Sequence, residues 1–62
     1  MTFGELEIGD LFNTKPARWV KISTTEAICV MGASVEIGDV CKFPEDYNVI
    51  VLWSSNPKFG IQ

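Results

Sequence analysis

The side chains here that could do chemistry are eight carboxylates, five lysines and arginines, two cysteines and a set of aromatic rings; there is no histidine. Four of the carboxylates fall in an internal echo. Residues 6–11 read Leu-Glu-Ile-Gly-Asp-Leu and residues 35–40 read Val-Glu-Ile-Gly-Asp-Val. Paired carboxylates such as Glu7 with Asp10 and Glu36 with Asp39 can hold Mg²⁺ or Ca²⁺ or transfer protons. Against that, each Asp has a sufficient task bracing a turn beside a glycine, and no segment has dense ligand spacing. The echo is therefore read as scaffold: two corners that each launch a strand. A sharper reading is a pseudo-twofold arrangement with equivalent strands, although the rest of the two halves aligns poorly.

Other catalytic constellations are missing. Without histidine there is no Ser-His-Asp or Cys-His pairing, and the five glycines are dispersed rather than gathered into a phosphate loop. Cys29 and Cys41 cannot complete a four-ligand zinc site and have no motif for thiolate activation. They read as small hydrophobes, with a disulfide open if adjacent strands carry them. The expectation is a non-enzyme with no cofactor and no metal.

Binding chemistry is better represented. Trp19 lies between Arg18 and Lys21, and tryptophan is enriched at contact hot spots. If Val20 and Ile22 face the core, alternation turns Trp19 and Lys21 outward. Arg18, Trp19 and Lys21, with Tyr47 on a turn, are the candidate binding residues. The competing reading is that each tryptophan caps the small core, which holds as well for Trp19 as the outward one and better for Trp53.

A net charge of −3 disfavours direct nucleic-acid binding, which stays a third alternative as an accessory barrel using Lys15, Arg18, Lys21 and exposed aromatics. A hydrophobic fraction of 47% places the chain among globular proteins and exceeds what so small a core can hide. A chain of this length buries only roughly 60% of its unfolded surface. The surplus points to a protein partner or a homo-oligomer, with a small ligand such as a nucleotide between subunits as an alternative. No basic n-region or membrane-length apolar stretch is visible, so the expected location is the cytoplasm of a bacterium or of an infected host.

The elements that must position these residues are short. Thr2-Phe3-Gly4-Glu5 has a capping-box pattern and predicts one helical turn with Phe3 and Leu6 inward. Strands are expected from Leu11, over 18–23, over 27–31, over 40–43 and over 48–53, the last being the strongest. The run 27–31 is apolar throughout, which predicts burial on both faces or an interface strand. Five short strands at close spacing predict an all-β fold: an SH3-like barrel or a strongly bent antiparallel sheet, forming one domain over 1–53 with a loose tail over 54–62.

The opening Phe3-x-x-Leu6-x-x-Gly9-Asp10-x-Phe12, with Val20-Lys21-Ile22-Ser23-x-x-x-Ala27 after it, resembles a group of small, mostly uncharacterised phage and bacterial proteins. The resemblance covers about the first half of the chain. It implies a small β-barrel of phage type and supplies no catalytic residues. The function expected is a phage accessory protein that engages or inhibits a host protein.

Overall fold

The computed structural model describes residues 1–15, 17–32 and 35–53. Pro16, Ala33, Ser34 and the expected tail over 54–62 lie outside the described residues.

The chain opens with a 3₁₀ turn, Phe3–Glu5, followed by β1 (Leu11–Asn13), β2 (Ala17–Lys21), β3 (Glu26–Gly32), β4 (Val40–Lys42) and β5 (Ile50–Trp53). All pairings are antiparallel, in one sheet of order β4-β3-β2-β1-β5. The sheet is open: β4 and β5 stand at its two edges and do not pair among the described residues. Of the two expected architectures, the unclosed sheet is the one formed. Register shifts interrupt the β2–β3 and β1–β5 ladders, which adds twist locally.

Glu5 ties down the N-terminal turn. Its Oε1 accepts from the Thr2 amide at 2.8 Å and from the Thr2 hydroxyl at 3.1 Å. The Phe3 amide donates to Tyr47 O and the Gly4 amide to Glu45 O, both at 2.8 Å. These bonds fasten the turn to the 44–49 segment, and together they cover one face of the sheet. Between cover and sheet lies the core: Phe3, Leu6, Phe12, Ala17, Trp19, Ala27, Cys29 and Val49, with Val35, Phe43 and Val51 packed against it. Phe43 is its hub. The ring lies 5.1 Å from Phe3, 5.6 Å from Phe12, 5.1 Å from Trp19 and 5.4 Å from Tyr47, edge-on to all but Phe3. Edge-to-face rings at such distances gain quadrupole attraction beyond the area they bury.

The echo is structural. Gly9 and Gly38 both have φ of 98°, a left-handed conformation that glycine adopts without strain. The Gly9 amide donates to Lys21 O (2.7 Å) and the Lys21 amide to Asp10 O (3.0 Å). In the second copy the Gly38 amide donates to Cys29 O (2.8 Å) and the Cys29 amide to Asp39 O (2.8 Å). Each turn thus clasps one residue of the neighbouring strand and launches the next strand, β1 or β4.

The match extends across the sheet. Leu11, Phe12 and Asn13 oppose Val20, Trp19 and Arg18, while Val40, Cys41 and Lys42 oppose Ile28, Ala27 and Glu26. Val20 and Ile28 oppose each other. Exchanging β1 with β4 and β2 with β3 about that central pair converts one set of partners into the other. The backbone of the four-stranded meander is therefore pseudo-twofold, although the core side chains on its two halves differ. Because neither glycine has an atom within 4 Å of an added Cβ, replacing Gly9 or Gly38 by alanine tests conformation alone. Both variants are expected to lose about 1–3 kcal/mol in urea unfolding, and by similar amounts.

Adjacent strands do carry the two cysteines, but Cys41 opposes Ala27 rather than Cys29. Both thiols are free, Cys29 buried and Cys41 exposed. β3 is not buried on both faces: Ala27 and Cys29 point into the core, while Val30, Met31 and Gly32 are exposed.

Candidate functional site

The expected contact face around Trp19 is not on the surface. Trp19 and Lys21 project into the core, only 3% and 4% exposed, while Ile22 is exposed and Val20 half-buried on the opposite side. The alternation of β2 is the reverse of the one expected. The reason lies in what each side chain meets. Trp19 packs on Phe43, and its indole N–H donates to Thr14 Oγ1 at 2.9 Å, so its one polar atom is satisfied while buried. Lys21 Nζ donates to Phe3 O at 2.9 Å and to Leu6 O at 2.8 Å, and it sits 4.4 Å from the Phe3 ring centre. Phe3 O also accepts the Leu6 amide at 3.2 Å, so the lysine is its second donor, and at Leu6 O the lysine serves a carbonyl at the end of the turn.

Arg18 and Tyr47, the other two candidates, remain at the surface. Arg18 lies on the face away from the core, its Nε 3.4 Å from Asn13 Oδ1. Tyr47 is 40% exposed. It helps line a cleft of about 330 Å³ with Asn13, Lys15 and Ile50. Trp53, expected as a core cap, is 58% exposed at the β5 edge. Of the two readings open for Trp19, the core cap is the one formed, and Trp53 departs from it.

The outer face of the sheet carries the feature that residue-by-residue reading missed. Val40 opposes Ile28, Ile28 opposes Val20, Val20 opposes Leu11 and Leu11 opposes Trp53. Opposed residues share a face, so these five form one apolar ladder that takes a residue from every strand, directed away from Phe12, Trp19 and Ala27. Val40 and Trp53 at its ends are exposed, and the three between them are half-buried. Polar pairs flank it, Asn13 with Arg18 on one side and Glu26 with Lys42 on the other, and exposed Met31 opposes Arg18 in the first of these rows. Ile50, opposite Asn13, is exposed and links this face to the Tyr47 cleft.

No family model matches the chain, and neither the curated proteins nor the solved structures compared with it give a match.

The echo carboxylates are taken up differently in the two turns. Asp10 is fully buried, and its Oδ2 accepts the Glu7 amide at 2.8 Å, so it braces its own turn. Asp39 is exposed. Among the described residues no three side chains of the His, Cys, Asp or Glu types gather in a way that could hold a metal ion. No helix among them is long and apolar enough to cross a membrane. A second hollow, of about 430 Å³, lies beside Lys21 between Gly4, Leu6, Glu7 and Glu45. The amine that borders it is already committed to two carbonyls.

Proposed function

We propose that this chain is a non-enzymatic binding module that engages a protein partner through the apolar outer face of its sheet. The observation that carries this reading is the uninterrupted ladder Val40-Ile28-Val20-Leu11-Trp53, which has no charged member and leaves large apolar side chains in solvent. Scattered exposed hydrophobics are ordinary, but a contiguous patch rimmed by polar residues marks an interaction site. Arg18, Asn13, Glu26 and Lys42 supply the polar part of such a rim, while Met31 and Ile50 carry apolar surface past it toward the cleft beside Tyr47 and Lys15. This keeps the expectation of an accessory protein of phage type that engages a host protein. It moves the contact from Trp19 to Trp53.

Affinity capture from native or host cells tests it, with the unmodified chain and Trp53→Ser run side by side. An exposed tryptophan that anchors an interface is worth about 2 kcal/mol or more. Retention of specific partners should therefore fall about 30-fold in the variant while its circular dichroism is unchanged. The same proteins retained equally by both chains would remove the outer face as the working surface.

A further inference from the structure

We infer that the free edge of β4 is a docking site for an extended segment of a partner protein, which adds to the sheet as a further antiparallel strand. This goes beyond the outer face. The edge holds its partner by backbone hydrogen bonds and does not depend on that face being occupied.

Two observations lead to it. The first is which backbone groups of β4 are open. The Cys29 amide donates to Asp39 O and the Phe43 amide to Thr25 O, with Cys41 opposite Ala27 between them. Bonded and non-bonded residues alternate along an antiparallel ladder. Asp39, Cys41 and Phe43 therefore face β3, while the N–H and C=O groups of Val40 and Lys42 point away from it. No strand lies beside them there among the described residues. The second is what occupies the matching edge. The pseudo-twofold exchange places Val40, Cys41 and Lys42 where Leu11, Phe12 and Asn13 stand on β1. The same alternation holds on β1: the Lys21 amide donates to Asp10 O and the Thr14 amide to Ala17 O, so Leu11 and Asn13 face outward. Those outward groups meet β5, with Trp53 opposite Leu11 and Ile50 opposite Asn13. β5 has no counterpart beside β4 among the described residues, and all three residues of β4 are exposed. Of two matching edges, one thus displays its occupant, an antiparallel apolar strand, and the other presents the same donors and acceptors unpaired. Such an edge is a template for another strand, with alternate side chains setting which strand fits. On the pattern of β5, the incoming strand carries a large apolar residue opposite Val40, where it continues the outer ladder at the end remote from Trp53.

NMR titration of the full chain tests the site, with a synthetic peptide of the β5 sequence, residues 49–53, carrying glutamates at both ends for solubility. The peptide should bind with a dissociation constant between about 10 µM and 1 mM, as a few backbone hydrogen bonds allow. At saturation the Val40 and Lys42 amides should exchange with solvent at least about 10-fold more slowly. The Cys41 amide, already directed at Ala27, should stay as it was. Lys42→Pro removes one outward donor and no bond to β3, at a position where an edge strand accepts proline. It should weaken binding at least about 10-fold with unchanged circular dichroism. A second measurement needs no variant of the chain. Methylating one alternate set of peptide nitrogens should weaken binding at least about 10-fold, and methylating the other set should not.

A chain that takes up no peptide at millimolar concentration overturns the site. So does binding that leaves the Val40 and Lys42 amides exchanging as before, or that alters the Leu11 and Asn13 amides in their place, because the peptide would then be replacing β5. Val40 and Lys42 amides already protected in the free chain overturn it too, since another part of the same chain would hold the edge. Equal affinity for the two methylated peptides shows a contact not made through the backbone, with the same consequence. If Lys42→Pro fails to fold, the methylated pair decides. An edge that fails leaves the outer face standing, which capture with Trp53→Ser tests separately.

Discussion

Replacing Trp19 by alanine is expected to remove about half or more of the chain's stability. Truncation of a buried tryptophan costs about 3–5 kcal/mol, through lost transfer energy and the cavity left behind. The total stability of a domain this size is roughly 3–9 kcal/mol. Here the loss is compounded, since Phe43 would keep only its Phe3, Phe12 and Tyr47 neighbours and the Thr14 hydroxyl would lose its indole donor. Trp53→Ala should by contrast cost less than about 1 kcal/mol, as an exposed edge position does. Urea denaturation of the two variants separates them. Equal losses would contradict the opposite placement of the two rings.

Replacing Lys21 by methionine is the second large effect. Methionine keeps the length of the stem but removes the ammonium. The carbonyls of Phe3 and Leu6 then lose a charged donor each, within a site that is almost closed to water. Hydrogen bonds to a charged group contribute about 1.5–3 kcal/mol each, offset by the desolvation that the neutral side chain no longer suffers. The expected net loss is about 2–4 kcal/mol. It should appear first at the N-terminus: the Phe3 and Gly4 amides, bonded to Tyr47 O and Glu45 O, should exchange with solvent faster than the amides of β2 and β3. A variant as stable as the parent, with those amides still protected, would show that Lys21 does not hold the turn in place.

Both outcomes depend on the parity of β2, and parity was the point at which the sequence was ambiguous. In Arg18-Trp19-Val20-Lys21-Ile22 one face carries Trp19 and Lys21 and the other Arg18, Val20 and Ile22, so each has a charge beside apolar groups and either can be taken for the core. A one-residue change of register moves every side chain of a strand to the other face. Taking Val20 and Ile22 as inward followed the usual ranking of aliphatics inside and lysine outside. The fold chose the other face because Phe43 and the 3₁₀ turn, both distant in sequence, present an aromatic wall and the Phe3 and Leu6 carbonyls there. Nothing local to β2 announces either partner. Trp53 went wrong for a related reason: its environment depends on the β1 edge and on the bulge between Leu11 and Phe12, neither of which its neighbours reveal.

What the sequence determined by itself was mostly backbone. Thr2 and Glu5 specify the opening turn, because the carboxylate reaches back to the first amide three residues away. Phe3 and Leu6 specify its inner side. Gly9-Asp10 and Gly38-Asp39 specify two corners of the same backbone conformation, since glycine takes a φ of 98° without strain. The strands between such corners follow from β-branched composition, and so does the all-β fold. These are interactions over a few residues, and a few residues are enough to read them. The tertiary structure alone decided which face of each strand is covered, that the sheet stays open, and that one residue from every strand lines up into the outer ladder. Those outcomes depend on cross-strand register and on the segments that pack over one face, which bring together positions as distant as Leu11 and Trp53. The apolar surplus was legible as composition. Its assembly into one contiguous surface was not.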